Sequence, residues 1–139
     1  MAEAVVKWIG DKEFVGTDST RHSVVMSGQP REKAAGVKPA ELLLVALAGC
    51  AGVDVVSILK KRRQTLSGLE IRVTADQDPD PPWTFRKIHL EYSLHGPQLT
   101  VPVVEQAIKL SEEKYCSVGS TLSGVAEITS SYAIIEDEI

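Results

Sequence analysis

The chain has 139 residues, of which 43% are hydrophobic, 24% charged and 5% aromatic, a size and composition that suit one globular domain spanning residues 1–139. Its 15 basic and 19 acidic residues give a formal net charge of −4 with no basic stripe, which argues against nucleic acid as a partner. The opening residues, MAEAVVKWIG, lack the charged start and apolar run of a signal peptide, so a cytoplasmic protein is expected.

Residues 4–9 (AVVKWI), 12–17 (KEFVGT) and 22–27 (HSVVMS) read as short strands. Turns at Gly10–Asp11 and Asp18–Ser19–Thr20 join them into a three-stranded meander. The segment 28–39, GQPREKAAGVKP, is loop-like. Pro39 suits the first turn of a helix, where a missing N–H costs nothing, and predicts a long helix over 39–63. Lys60, Lys61, Arg62 and Arg63 would close it, with their charges at the negative end of the helix dipole.

Within that helix, residues 40–59 are mostly apolar and 20 long, the length of a membrane span. They contain Glu41 and Asp54, however, and an acidic residue near a bilayer centre costs ~2.5–3.5 kcal/mol on insertion scales. A helix apolar nearly all round is instead expected to be buried. A chain of this size encloses such a helix poorly, and a dimer would solve the problem.

Beyond it, Leu69, Ile71, Val73 and Ala75 alternate with polar residues, as on a half-buried strand. DQDPDPP at 76–82 is a turn, and 85–94 returns as a strand with Ile88, Leu90, Tyr92 and Leu94 on one face. Thr100 and Pro102 open a second helix over 101–115, and 125–135 is a last strand. The order β-β-β-α-β-β-α-β predicts an α+β fold, with an antiparallel sheet and helices on one face.

The residues able to carry chemistry are two cysteines. In a reducing compartment a permanent disulfide is not expected. Inert buried thiols, a redox pair and part of a metal site remain. Two cysteines 66 positions apart, with His22, His89 and His95 scattered, form no C-x-x-C or H-x-x-x-H pattern, so a metal site is the weakest of these options. Cys50 sits in ALAGCAGVD between Gly49 and Gly52. A mid-helix glycine costs ~1 kcal/mol against alanine. Two beside one cysteine fit either tight packing around an inert thiol or room for a small substrate. Cys116 lies in EKYCSVGSTL, just past a helix. If the two meet, oxidation of one to sulfenic acid and attack by the other give a reducible disulfide. Asp54, four residues beyond Cys50, shares its helix face. A carboxylate there would raise the thiol pKa. Alternatively it is a buried acid paired with a group of a partner chain.

The stretches KPAELLLVALAGCAGVDVVSILKKRR and EKYCSVGSTLSG resemble the two cysteine segments of the OsmC/Ohr family, and the order of elements resembles that fold over essentially the whole chain. The resemblance implies an OsmC-like intertwined homodimer with sites at its interface. It implies a cysteine-based peroxidase in which Cys50 attacks an organic hydroperoxide or hydrogen peroxide and Cys116 resolves the sulfenic acid. An external dithiol such as a lipoyl group would then reduce the disulfide, with no metal or cofactor. The peroxidase branch has a glutamate directly after the helix-initial proline. Here Ala40 holds that position and Glu41 follows, nine residues from Cys50 and so on nearly the opposite helix face. That branch also uses an arginine of the meander to hold the thiolate, for which Arg21 and Arg31 are the candidates. Ser117 stands where many relatives have proline. The alternative is a non-catalytic protein of the same fold that binds a small apolar ligand or serves the stress response.

Overall fold

The computed structural model describes residues 1–136, which fall into two compact units, Met1–Leu43 and Leu44 onward. The first is the expected meander: β1 (Ala4–Gly10), β2 (Glu13–Asp18) and β3 (Ser23–Ser27), paired antiparallel in the order β1-β2-β3. Its first turn carries Gly10 and Asp11 at φ 120° and 46°, a left-handed backbone for which glycine is the natural residue. After β3 the chain loops back. Val37 bridges to the strand through Ser27 N–H to Val37 O at 2.9 Å and Val37 N–H to Val25 O at 3.0 Å. Gly36 makes this return possible, because any Cβ there would strike the Val25 carbonyl.

Helix α1 (Pro39–Lys61) starts at the proline read from the sequence and ends in the first cations of the basic run. In the second unit it lies with β4 (Gly68–Gln77), β5 (Phe85–Gly96), α2 (Val101–Leu110), a π-helical turn (Ser111–Tyr115), α3 (Ser117–Leu122) and β6 (Glu127–Glu136). The core joins three elements. Leu47, Ala51, Val55 and Leu59, four residues apart on α1, meet Ile88, Leu90, Tyr92 and Leu94 of β5 and Val104, Ala107 and Ile108 of α2. Spacing of four on a helix and two on a strand is what puts each set on one face.

Three expectations are corrected. First, the strands form two separate three-stranded sheets. The second, β4-β5-β6, is mixed: β4 and β5 are antiparallel (Ile71↔Tyr92), whereas β5 and β6 run parallel (Tyr92↔Tyr132). The connection from β5 to β6 holds both short helices. A crossover of that length returns the chain to the starting edge, as parallel pairing requires. Second, α1 is not buried all round. One stripe is buried, while Val45 and Val53 are 59% and 67% exposed in the single chain. Third, the helix expected over 101–115 changes character at Ser111, where Cys116 N–H donates to Ser111 O at 2.8 Å, five residues back. Residues 117–122, to which the sequence assigned no element, form α3.

Candidate functional site

The π turn sets the geometry of the second cysteine. Its widened ring leaves Ser111 fully buried and turns Cys116 out of the helical path, to φ −78° and ψ 100°. Cys116 thereby becomes the N-cap of α3. Its sulfur accepts the Gly119 N–H at 3.3 Å, as a capping side chain does for an otherwise unpaired first-turn donor. The fit is close: a Cβ on Gly119 would sit 3.3 Å from that sulfur and 3.5 Å from Leu47 Cδ1.

Cys50, half-buried on α1, lies against the same helix start. Its sulfur is 3.9 Å from Ser117 Oγ, and the Val118 and Ser117 N–H groups and the Cys116 thiol act on it as donors that favour the thiolate. Burial pushes the Cys50 thiol up, but these donors together outweigh it and hold the thiol below the value of a free cysteine. Cys116 moves the other way, to about 11. Burial is the main cause, and its donated hydrogen bond to Cys50 and the charges of Cys50 and Asp54 add to it, against the opposing Gly119 N–H. The two thiols are thus shifted in opposite directions, Cys50 down and Cys116 up.

The other residues singled out from sequence have different places. Asp54 does not set the Cys50 thiol. Its carboxylate accepts the buried Ser111 hydroxyl at 2.9 Å, and its charge falls on Cys116 and Tyr92. Glu41 pairs with Lys38 at 3.8 Å in the first turn of α1, an exposed contact that fits a helix-start acid. Arg21 stands at the β2–β3 turn with a left-handed φ of 66°, and Arg31 lines a shallow cleft with Gln29, Lys38 and Glu41. Both belong to the amino-terminal unit. Within the single chain the groups that lower Cys50 are neutral donors.

Sequence reasoning missed those donors and two side chains. Backbone N–H groups carry no sequence identity, and the six-residue helix that aims them, SVGSTL, has β-branched residues and a glycine, all weak helix formers. Ser111 lies inside the helix expected over 101–115, where nothing in the sequence marks its partner. Tyr92 was placed on the inner face of β5, but alternation says nothing about its hydroxyl, which is fully buried and makes no hydrogen bond to a described protein group. Together with Cys116, Tyr92 lines a cavity of ≈ 280 Å³.

The chain matches the family model described as OsmC-like protein over residues 31–131. Over 133 residues it is 37% identical to Protein YhfA of Escherichia coli, covering 96% of this chain and 98% of that one. A hypothetical protein from Aquifex aeolicus superposes with a TM-score of 0.88 at 28% identity, covering 99% of this chain and 98% of that one. The organic hydroperoxide resistance protein OhrB of Bacillus subtilis shares the fold at a TM-score of 0.64 and 14% identity, covering 96% of this chain and 98% of that one. The chain therefore belongs to the OsmC-like family.

Proposed function

We propose that this protein is a thiol-dependent peroxidase that reduces organic hydroperoxides, with Cys50 as the attacking thiol and Cys116 as the resolving one. The observation that carries this reading is the pair itself: Cys116 caps α3 and Cys50 lies against Ser117 at the same helix start, with one thiol shifted below and the other above the ordinary cysteine value. The thiolate is the nucleophile of such chemistry. The Cys50 thiolate attacks the terminal oxygen of the hydroperoxide and breaks the O–O bond. The alkoxide leaves with a proton as the alcohol, and Cys50 becomes the sulfenic acid. Cys116 then forms the S–S bond, and its proton and the sulfenic hydroxyl depart as water. An external dithiol, a lipoyl group for example, returns both thiols by exchange.

The exposed apolar side of α1 supports a homodimer, because Val45 and Val53 gain stability only when covered. Cytoplasmic residence suits a pair of thiols that must be reduced after each turnover. Hydrogen peroxide is the second substrate to compare.

The test is consumption of cumene hydroperoxide and of hydrogen peroxide with a dithiol reductant, for the native protein, Cys50→Ser and Cys116→Ser. Turnover that disappears in Cys50→Ser and changes its reductant dependence in Cys116→Ser is the expected result. No turnover above the Cys50→Ser background with either peroxide refutes the peroxidase and leaves a ligand-binding protein of this fold.

A further inference from the structure

A second cleft opens along the carboxy-terminal half of α1, beside α2 and the π turn. Its volume is ≈ 340 Å³, and neither cysteine lines it. Ile58 and Leu110, both half-buried, give it an apolar floor. Its polar lining comes from three elements: Ser57, Lys61 and Arg62 from the end of α1, Gln106 from α2 and Tyr115 from the π turn.

The charges that meet there are unbalanced. Lys61 and Arg62 form no ion pair with a carboxylate among the described residues. Arg62 instead donates to the Gln106 side-chain oxygen, which holds the guanidinium at the cleft and leaves the Gln106 amide N–H groups as further donors. A third cation, Lys114, stands at the rim over the Tyr115 ring, 5.3 Å from its centroid. Among the described residues the one carboxylate lining the cleft is Asp54, and it already accepts the Ser111 hydroxyl at 2.9 Å. The helix dipole accounts for a basic run at the end of α1. It does not account for cations that converge with donors of two other elements over an apolar floor, in a chain whose net charge is −4. Cations lining a concave surface focus their field into it and draw in an anion.

Size and charge limit which anion fits. At about 30 Å³ for each non-hydrogen atom, as in liquid water, the space takes roughly eleven such atoms. Asp54 opposes a second negative charge, and the floor favours a hydrocarbon body. We propose that this cleft binds a small organic monocarboxylate, with its carboxylate held by Lys61 and Arg62 and its apolar body on Ile58 and Leu110. Hydrogen bonds between such cations and a carboxylate are of the strong, charge-assisted kind. The proposal does not depend on the peroxidase reading, since it requires neither thiol.

The probe is 3-phenylpropanoate, which has eleven non-hydrogen atoms. Its amide, 3-phenylpropanamide, has the same skeleton without the charge, and inorganic phosphate has the charge without the apolar body. Binding to the native protein is followed by titration calorimetry and by the methyl resonances of Ile58 and Leu110. The expected result is saturable binding of 3-phenylpropanoate that shifts both sets of methyls, with the amide and phosphate each weaker by about tenfold or more. Lys61→Gln, with native circular dichroism, removes one charged donor and should weaken Kd about tenfold or more. Lys60→Gln removes the same charge from an exposed position of α1 that does not line the cleft, and should leave Kd unchanged. The proposal is overturned if 3-phenylpropanoate shows no saturable binding, or if the amide or phosphate binds as tightly. An unchanged Kd in Lys61→Gln, or an equal loss in Lys60→Gln, would reduce the effect to diffuse attraction by the basic run and overturns it as well.

Discussion

Replacing Tyr92 by phenylalanine removes one oxygen from the centre of the second unit and nothing else. The ring is fully buried against the core, and its hydroxyl has no protein partner. Burying an unpaired hydroxyl costs about 1–3 kcal/mol in protein mutational data. Part of that is returned as dispersion contacts of the oxygen, which phenylalanine lacks. The net expectation for Tyr92→Phe is stabilisation by about 1 kcal/mol, which for a chain of this size raises Tm by roughly 3–5 °C. Equilibrium urea unfolding at one fixed protein concentration reads it, with the m value unchanged, since no new surface is exposed. Tyr132→Phe is the control, because that hydroxyl donates to Glu105 at 2.6 Å on the surface, and its loss should not stabilise. A Tyr92→Phe protein less stable than native by 1 kcal/mol or more would show that the hydroxyl is hydrogen-bonded after all.

Three further expectations concern the thiols and the helix that carries the first of them. Because Cys50 is held below and Cys116 is pushed up to about 11, iodoacetamide at neutral pH should modify Cys50 first. Its rate should rise with pH through an inflection below that of a free thiol, and equal rates for the two cysteines would contradict the hydrogen-bonding scheme. In Ser111→Ala the Asp54 carboxylate loses its donor, and hydrogen bonds to charged groups contribute about 1.5–3 kcal/mol, so a loss of that order in urea unfolding is expected. An unchanged midpoint would mean that solvent replaces the donor fully. Val53→Asp places a charge on the exposed apolar side of α1, and light scattering should show a dimer turned to monomer. A native protein that is monomeric at micromolar concentration would remove the dimer from the proposal.

The fold was legible wherever local patterns determine it. Pro39 and the basic run bracketed α1, and alternation found β4 and the inner face of β5. Pairing direction was not legible, because alternation is the same in a parallel and an antiparallel strand. Only the crossover through α2 and α3 makes β6 parallel to β5. The cysteines were found through residue type and family resemblance, and the structure brings them together. What tunes them was hidden. Asp54 sits at the spacing that puts it on the Cys50 face, yet its carboxylate turns to Ser111, a contact 57 residues away in sequence. In the single chain the groups that lower Cys50 include peptide N–H groups, which every residue except proline carries. At 117 the chain has serine, whose N–H and hydroxyl both serve Cys50. A proline there would supply neither.

Both properties of the thiol pair trace to the five residues Ser111–Tyr115. An α-helical continuation would carry the residue at 116 around the helix by about 100° per residue and along by about 1.5 Å. The π turn accommodates one more residue, and the chain leaves it extended at Cys116. Its sulfur then caps Gly119, while the N–H groups of Ser117 and Val118 are left for Cys50. Deleting Lys114, an exposed residue of that turn, should restore an α-helical repeat and shift Cys116 out of the capping position. The core residues of α2 and β5 lie outside the change, so circular dichroism should remain native. The thiol of Cys50 should then return toward the free-cysteine range, and peroxide treatment should leave a sulfenic acid that dimedone traps instead of a Cys50–Cys116 disulfide. If the shortened protein keeps the low inflection for Cys50 alkylation and still forms the disulfide, the π turn is only a packing defect, and the asymmetry of the two thiols has to come from the fold around α1.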